Sequence, residues 1–238
     1  MNTIQQGWRF YGRRMGRKLT ATRQAVLDNT YPTLQITEDK ITQEHDLAPA
    51  SLFEYAPEKI ILEIGFGAGE HLTGLINQHN DNSDVKTGFI GIEPFVNGMA
   101  SFLFDVTEQK LEEHVRVWMD DAIPVAQSLA ENSIDEIYVL NPDPWHKTRH
   151  HRRRIINQDN LDIFAKILKP KGTLIMSTDV PDLAEWMVRE ASIHPDFTWT
   201  ATCADDWRVA PEDWITTRYE TKRAKGADKM NYLFFERN

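Results

Sequence analysis

Cysteine is nearly missing from this 238-residue chain: Cys203 is its single example. An intrachain disulfide is therefore impossible, and no cysteine metal cluster can form. One thiol fits a reducing compartment, and the expectation is a cytoplasmic protein. Long apolar runs are lacking too. No stretch approaches the roughly 20 apolar residues of a membrane helix, and no apolar h-region opens the chain, so no membrane partner is expected. Acid is absent from the first 27 residues. That Arg-rich opening suggests a transit peptide only superficially, because Gly7, Gly12 and Gly16 interrupt any amphipathic helix there and serine is absent. The eight histidines lack metal-ligand spacing, and adjacent His150 and His151 would not share a face in regular structure. No metal is expected. Internal repeats and low-complexity linkers are missing as well, which leaves one main domain.

Apolar residues make up 41% of the chain, with 11 Phe, 6 Tyr and 7 Trp, enough for a large core. Residues 1–55 read as a basic arm followed by short helices, one of them over Thr22–Asp28 and ended near Pro32. Residues 56–238 read as the main domain. From residue 59 the pattern alternates. Strands are predicted at Lys59–Ile64, Thr87–Glu93, Val115–Met119, Ser133–Leu140, Thr173–Thr178, Phe197–Ala201 and Tyr232–Glu236. Helices are predicted at Glu70–Asn80, Val96–Glu108, Ile123–Ala130, Leu161–Leu168 and Leu183–Ser192, with a turn at Lys169-Pro170-Lys171-Gly172. Such alternation implies an α/β fold, a mostly parallel sheet with helices on both faces.

Net charge is −9, which at first argues against a nucleic-acid partner. Its distribution argues the other way. Residues 1–30 hold six Lys/Arg against one acid, 145–158 five against none, and 216–229 five against two; the remainder holds 11 basic and 33 acidic side chains. A domain of this length has a radius of gyration of about 18 Å, whereas the Debye length at physiological salt is about 8 Å. Acid on the far side is screened, so a local basic patch decides contact with phosphate. In the arm, Trp8, Phe10 and Tyr11 lie among Arg9, Arg13, Arg14, Arg17 and Lys18. That mixture suits phosphate contact and base stacking, and equally suits an arm packed on its own domain by its aromatics.

The densest chemistry lies in Asn141-Pro142-Asp143-Pro144-Trp145-His146-Lys147-Thr148-Arg149-His150-His151-Arg152-Arg153-Arg154, directly after a predicted strand. Each proline fixes its own φ and disfavours helix at the preceding residue. Asn141 and Asp143 are thus expected to be extended, in a stiff loop at a strand's carboxyl end, where open α/β sheets bind ligands. The blander reading is a turn, a packing Trp145 and a solvated basic face.

Glu63-Ile64-Gly65-Phe66-Gly67-Ala68-Gly69-Glu70 joins the first strand to the first helix of the main domain. Gly65, Gly67 and Gly69 let backbone approach a ligand closely. Glu70 stands where a dinucleotide fingerprint has its third glycine, and acidic flanks suit a cationic ligand better than a pyrophosphate. Glu93 ends the second strand, the position of a ribose-binding carboxylate. Asp121 follows the third, where it can accept from an adenine amino group. An ammonium, a sulfonium, a ribose and an adenine together describe S-adenosyl-L-methionine.

At these residues the chain resembles the bacterial tRNA (guanine-N7-)-methyltransferase family over nearly its whole length. The carriers are LEIGFGAGE at 62–70, PDPWHKTRHHRRRI at 142–155, STD at 177–179, Thr217-Arg218-Tyr219-Glu220, and the arm Gly12-Arg13-Arg14-Met15-Gly16-Arg17. The resemblance implies a Rossmann-like class I methyltransferase fold with a seven-stranded sheet, tRNA as partner, and methylation of a guanine at position 46 of the variable loop. It places Glu63, Glu93, Asp121 and Asp143 at the cofactor, Asp143 also as the catalytic carboxylate. It assigns Lys147, Asp179, Thr217, Arg218, Tyr219 and Glu220 to substrate, and Arg149, Arg152, Arg153 and Arg154 to RNA. One departure stands out: after Glu93 the family usually has Val-His and a Pro-Gly turn, and this chain has Pro94-Phe95-Val96-Asn97-Gly98.

Several alternatives stay open at this point. Thr217-x-x-Glu220 is also a helix-capping box, and Trp145 could stack on a base or plug the core. Asn141-Pro142-Asp143-Pro144-Trp145 loosely resembles the Asn/Asp-Pro-Pro-aromatic motif of amino-methyltransferases, although Asp143 breaks that spacing. A catalytically silent RNA-binding module is a further reading, and an NAD oxidoreductase is disfavoured by the missing third glycine. A monomer and a homodimer are both compatible with the sequence.

Overall fold

Caps and β-branched runs fix the framework along the chain, for which a computed structural model describes residues 12–43, 46–82, 84–222 and 229–238. Three short helices come first: α1 (Ala21–Asn29), α2 (Tyr31–Leu34) and α3 (Glu38–Gln43). Thr20 starts the first of them by accepting from the Arg23 N–H, the usual work of an N-cap threonine. Alternation follows with β1 (Lys59–Ile64), α4 (Glu70–Asn82), β2 (Thr87–Ile92), α5 (Val96–Gln109), β3 (Val115–Trp118), α6 (Ala122–Ser128), β4 (Ile134–Leu140), α7 (Gln158–Ile167), β5 (Leu168–Thr178), α8 (Pro181–Ile193) and β6 (Phe197–Trp199). Two short helices, α9 (Asp205–Arg208) and α10 (Arg218–Lys222), precede β7 (Asn231–Arg237).

The seven strands form one sheet in the order β3-β2-β1-β4-β5-β7-β6. Pairing is parallel from β3 through β5, and β7 runs antiparallel between β5 and β6. Strand order reverses between β1 and β4, so a crevice opens at their carboxyl ends. Alternate residues of β1 feed two cores on opposite faces of the sheet: Ile61 joins Phe89, Phe102 and Val117 on one side, and Leu62 joins Ile90, Ile137 and Phe164 on the other. The N-terminal stretch enters both. Val26 and Leu34 belong to the first core, and Ile36, Leu47, Leu52 and Phe53 to the second.

Most element boundaries shift by a few residues from the sequence expectation, and three of the shifts have a local reason. Residues 169–172 are not a separate turn but a bulged start of β5: Ile134 pairs with Leu168, whereas Glu136 pairs with Thr173. Lys171 takes the left-handed conformation at φ 69° to make that bulge. α7 begins three residues early because Asn157 caps it, accepting from the Asn160 N–H at 3.0 Å. α6 stops at Ser128 because Leu47 bonds across it, donating to the Ser128 carbonyl at 2.8 Å and accepting from Ala130 at 2.9 Å. Trp8, Arg9, Phe10 and Tyr11 lie outside the described residues. Among the described residues no helix is long and apolar enough to cross a membrane.

Candidate active site

Four strands deliver an acid each to the crevice. β1 brings Glu63, buried at 2% exposure and held by His71, whose Nδ1 lies 2.9 Å from its Oε2. His71 is itself fixed between the rings of Tyr138 and Trp214. β2 leads to Glu93, which accepts from the backbone N–H groups of Gly67 at 2.7 Å and Phe95 at 2.8 Å. That carboxylate therefore fastens the glycine loop to the end of β2. β3 leads to Asp121, the N-cap of α6, which accepts from the Ile123 N–H at 3.0 Å. β4 runs into Asn141, Pro142 and Asp143.

Gly65 and Gly67 both have positive φ (76° and 61°), and a Cβ on either would meet nothing within 4 Å. Their open side is where a ligand can approach. Gly69 is different. It also has positive φ, 84°, but a Cβ there would overlap the Phe102 ring, so it serves close packing of α4 on α5 and does not line the crevice. Glu70 also borders the crevice, but its carboxylate is engaged in an ion pair with Arg218.

The crevice has a volume of about 700 Å³, and Glu63, Gly65, Gly67, Glu93, Asp121 and Asp143 all line it. Burial, and then the fields of Asp143 and Glu63, push the Glu93 carboxyl up to about 7. Burial raises Asp121, and loss of hydration against the loop wall raises Asp143, whose side chain still reaches solvent. Acids gathered this closely repel one another until a cation joins them. Donor set, open glycine backbone and volume together fit a cationic, hydroxyl-bearing ligand such as S-adenosyl-L-methionine. Among the described residues no group of three or more His, Cys, Asp or Glu could hold a metal ion.

The proline-flanked loop is tighter than expected. Asn141 is left-handed at φ 48°, not extended, and Trp145 is left-handed at φ 44°. Asparagine tolerates that region, and here its N–H continues the sheet ladder by donating to Ser177 O at 2.8 Å. Trp145 borders both the crevice and a shallower pocket of about 320 Å³ shared with Asp143, Lys147 and His150. It stands edge-on to His150, with the Arg153 guanidinium 5.0 Å from its ring centre.

The basic run forms a 3-10 turn over Thr148–Arg153. Lys147, Arg149 and Arg152 are exposed along it. Lost hydration, then Arg153, Arg149, Lys147 and Arg152 in turn, hold the His150 imidazole below its ordinary value. Arg154 breaks the pattern and corrects the expectation of an RNA contact. It is 1% exposed, and a guanidinium with no surface cannot meet a phosphate backbone.

The other substrate residues are only partly gathered. Thr217 and Tyr219 line the crevice, and Lys147 the pocket beside it. Asp179 follows β5 and lines neither. Thr217 and Glu220 form the capping box: Glu220 N–H donates to Thr217 Oγ1 at 3.2 Å, and Thr217 N–H to Glu220 Oε2 at 3.3 Å. Trp214 Nε1 also donates to that oxygen, while Glu220 Oε1 is buried without a hydrogen bond.

The arm supplies residues that sequence reasoning missed. Gly12 and Arg13 line the crevice. Arg14 pairs with Asp120, next to Asp121. Asn97 clasps the arm from the unusual segment after Glu93, accepting from Gly16 N–H at 2.6 Å and donating to Arg17 O at 2.7 Å. The available signal was Asn97 within Pro94-Phe95-Val96-Asn97-Gly98, the segment after Glu93: an amide side chain offers a donor and an acceptor together.

A family model described as "Putative methyltransferase" matches residues 57–233. The tRNA (guanine-N(7)-)-methyltransferase of Azorhizobium caulinodans is 41% identical over 228 residues, covering 96% of this chain and 94% of that protein. The protein of the same name from Agrobacterium fabrum is 40% identical with the same coverage. Among solved structures, the 16S rRNA methyltransferase KamB superposes with a TM-score of 0.54 at 13% identity, covering 76% of this chain and 89% of that one. That last likeness concerns the fold alone. Relatives this similar, matched over nearly the whole of both chains, place the chain: it belongs to the tRNA (guanine-N(7)-)-methyltransferase family.

Proposed function

We propose that this protein transfers a methyl group from S-adenosyl-L-methionine to N7 of a guanine in tRNA, at position 46 of the variable loop. The observation that carries the reading is that Asp143, on a proline-clamped loop, lines the same crevice as Glu63, Glu93 and Asp121, with an exposed cationic strip alongside.

S-adenosyl-L-methionine, when bound, supplies an electrophilic methyl on a positively charged sulfur. Glu93 is placed to accept from ribose hydroxyls, Asp121 to accept from the adenine amino group, and Glu63 to offset positive charge. Gly65 and Gly67 admit the ligand's backbone-facing side without a Cβ clash. Guanine N7 has a free lone pair at neutral pH, so no residue need act as a base before attack. Positioning can supply about 7–11 kcal/mol of the barrier. Asp143 acts by its charge as positive charge moves into the purine; opposite unit charges about 4 Å apart attract by about 4 kcal/mol near a protein surface. Discrimination of guanine from adenine needs acceptors for N1–H and the 2-amino group. Glu220 or Asp179 is to supply them: Glu220 has Oε2 committed to its cap and Oε1 left over, and Asp179 lies outside both cavities, with Thr217 and Tyr219 lining the crevice. Arg218 joins them by leaving Glu70. Lys147, Arg149, Arg152 and Arg153 hold RNA phosphate.

Incubation of purified protein with labelled methyl donor and unmodified tRNA, followed by nucleoside analysis, tests this. The expected product is 7-methylguanosine. N6-methyladenosine or N2-methylguanosine would move the chain to the amino-methyltransferases, and cofactor binding without product would make it a binding module.

A further inference from the structure

The loop that carries Asp143 holds two non-glycine residues, Asn141 and Trp145, in the left-handed region. Such backbone persists only where the surroundings over-determine it. At the Asn141 end the sheet does so, through the bond to Ser177. At the other end stands Arg154. Its Nε donates to the Pro144 carbonyl at 2.9 Å, the peptide group that leads directly into Trp145. Its Nη2 pairs with Asp182 in the first turn of α8, and its guanidinium lies 5.0 Å from the centre of the Trp186 ring. Trp186 is fixed in turn by donating to Ile156 O at 2.7 Å. The main chain of Arg154 is held from both sides: its N–H donates to His151 O at 2.9 Å, and its carbonyl accepts from the Asn157 side-chain Nδ2 at 2.8 Å.

A buried guanidinium is costly unless it is paired and hydrogen-bonded. This one is paired with an acid whose own side chain is 62% exposed. Burial of a charge merely to hold a surface carboxylate has no stabilising logic, whereas a rigid two-pronged donor that ties one loop to one helix does. We propose that Arg154 is a positioning residue: it locks the proline-flanked loop to α8 and so fixes the direction in which Asp143 faces the crevice. The inference rests on the methyl-transfer reading for its effect on rate, but the fastening itself does not depend on that reading.

The test uses Arg154→Lys and Asp182→Asn in the full chain. Lysine keeps the charge and can reach one partner at a time; asparagine keeps a hydrogen-bond acceptor on the exposed side. Amide hydrogen exchange of residues 141–147 is followed without tRNA or cofactor, together with kcat, KM for tRNA, and S-adenosyl-L-homocysteine binding by calorimetry. Faster exchange confined to that loop is expected in both variants. With it, kcat should fall at least tenfold in Arg154→Lys, while KM for tRNA and its salt dependence stay unchanged. Unaltered loop exchange with weakened tRNA binding would overturn the proposal and return Arg154 to the RNA surface. If Arg154→Lys fails to fold, Asp182→Asn decides alone, and unchanged loop exchange there also overturns it. A wild-type protein that methylates no tRNA would sink the function proposed above while leaving the exchange result standing.

Discussion

Glu93 is the residue where the electrostatics of the crevice can be measured directly. Its carboxyl is pushed from 4.5 up to about 7, chiefly by burial and further by Asp143 and Glu63. A carboxyl raised in the folded state keeps a proton that the unfolded chain has lost. The ligand-free protein should therefore lose stability as pH rises from about 4.5 to about 7. Binding of a cation works in the opposite sense, because it favours the ionised form. Affinity for S-adenosyl-L-methionine should climb as pH rises towards about 7 and level off above it, with proton release below that point visible by calorimetry in buffers of different ionisation heat. Asp143→Asn should move that midpoint downward, and Glu93→Gln should abolish it. Asp143 itself separates chemistry from recognition. Asp143→Ala should cut kcat at least a hundredfold while tRNA affinity changes less than threefold, and equal losses in single-turnover rate and filter binding would refute its assignment. These acids were legible because each stands at a strand end, a position fixed by pattern alone. The surroundings of Glu70 and Gly69 were not legible, because loop spacing does not reveal which side of a glycine faces a ring, or that Arg218, far away in sequence, arrives as a partner.

Elements explain why some of the site could be foreseen and some could not. Strands and helices over 59–193 follow hydrophobic period, and that period put Glu63, Glu93 and Asp121 on one edge of the sheet. Contacts between elements have no such signature. α5 begins against the glycine loop so closely that a Cβ on Gly98 would overlap the Gly67 carbonyl oxygen. Gly98→Ala should cost about 1–3 kcal/mol by overpacking and weaken cofactor binding at least tenfold, read by thermal unfolding and calorimetry. A variant with normal melting and normal affinity would show that the loop gives way freely. The Asn97 clasp belongs to the same junction. The arginine run shows the opposite failure. A sequence of cations reads as a surface, but a 3-10 turn points successive side chains in different directions. It leaves Lys147, Arg149 and Arg152 exposed, lays Arg153 on Trp145 and sinks Arg154 into the wall.

For the molecule as a whole, that division predicts which arginines govern RNA affinity. Each phosphate contact removed should lower the slope of log affinity against log salt by roughly 0.7–0.9. Arg149→Gln combined with Arg152→Gln should show about twice that change by filter binding, whereas Arg154→Lys should show none. The slope itself should not be constant. The cationic strip is a small part of a chain with net charge −9, the same sign as its partner. Near 0.15 M salt the acidic bulk lies beyond electrostatic range, but at 0.01 M the Debye length grows to about 30 Å. The protein then meets RNA as a like-charged monopole carrying an attractive spot, and dilution of salt yields diminishing returns. A plot of tRNA affinity should bend over at low ionic strength, and neutralising remote acids far from the crevice should straighten it.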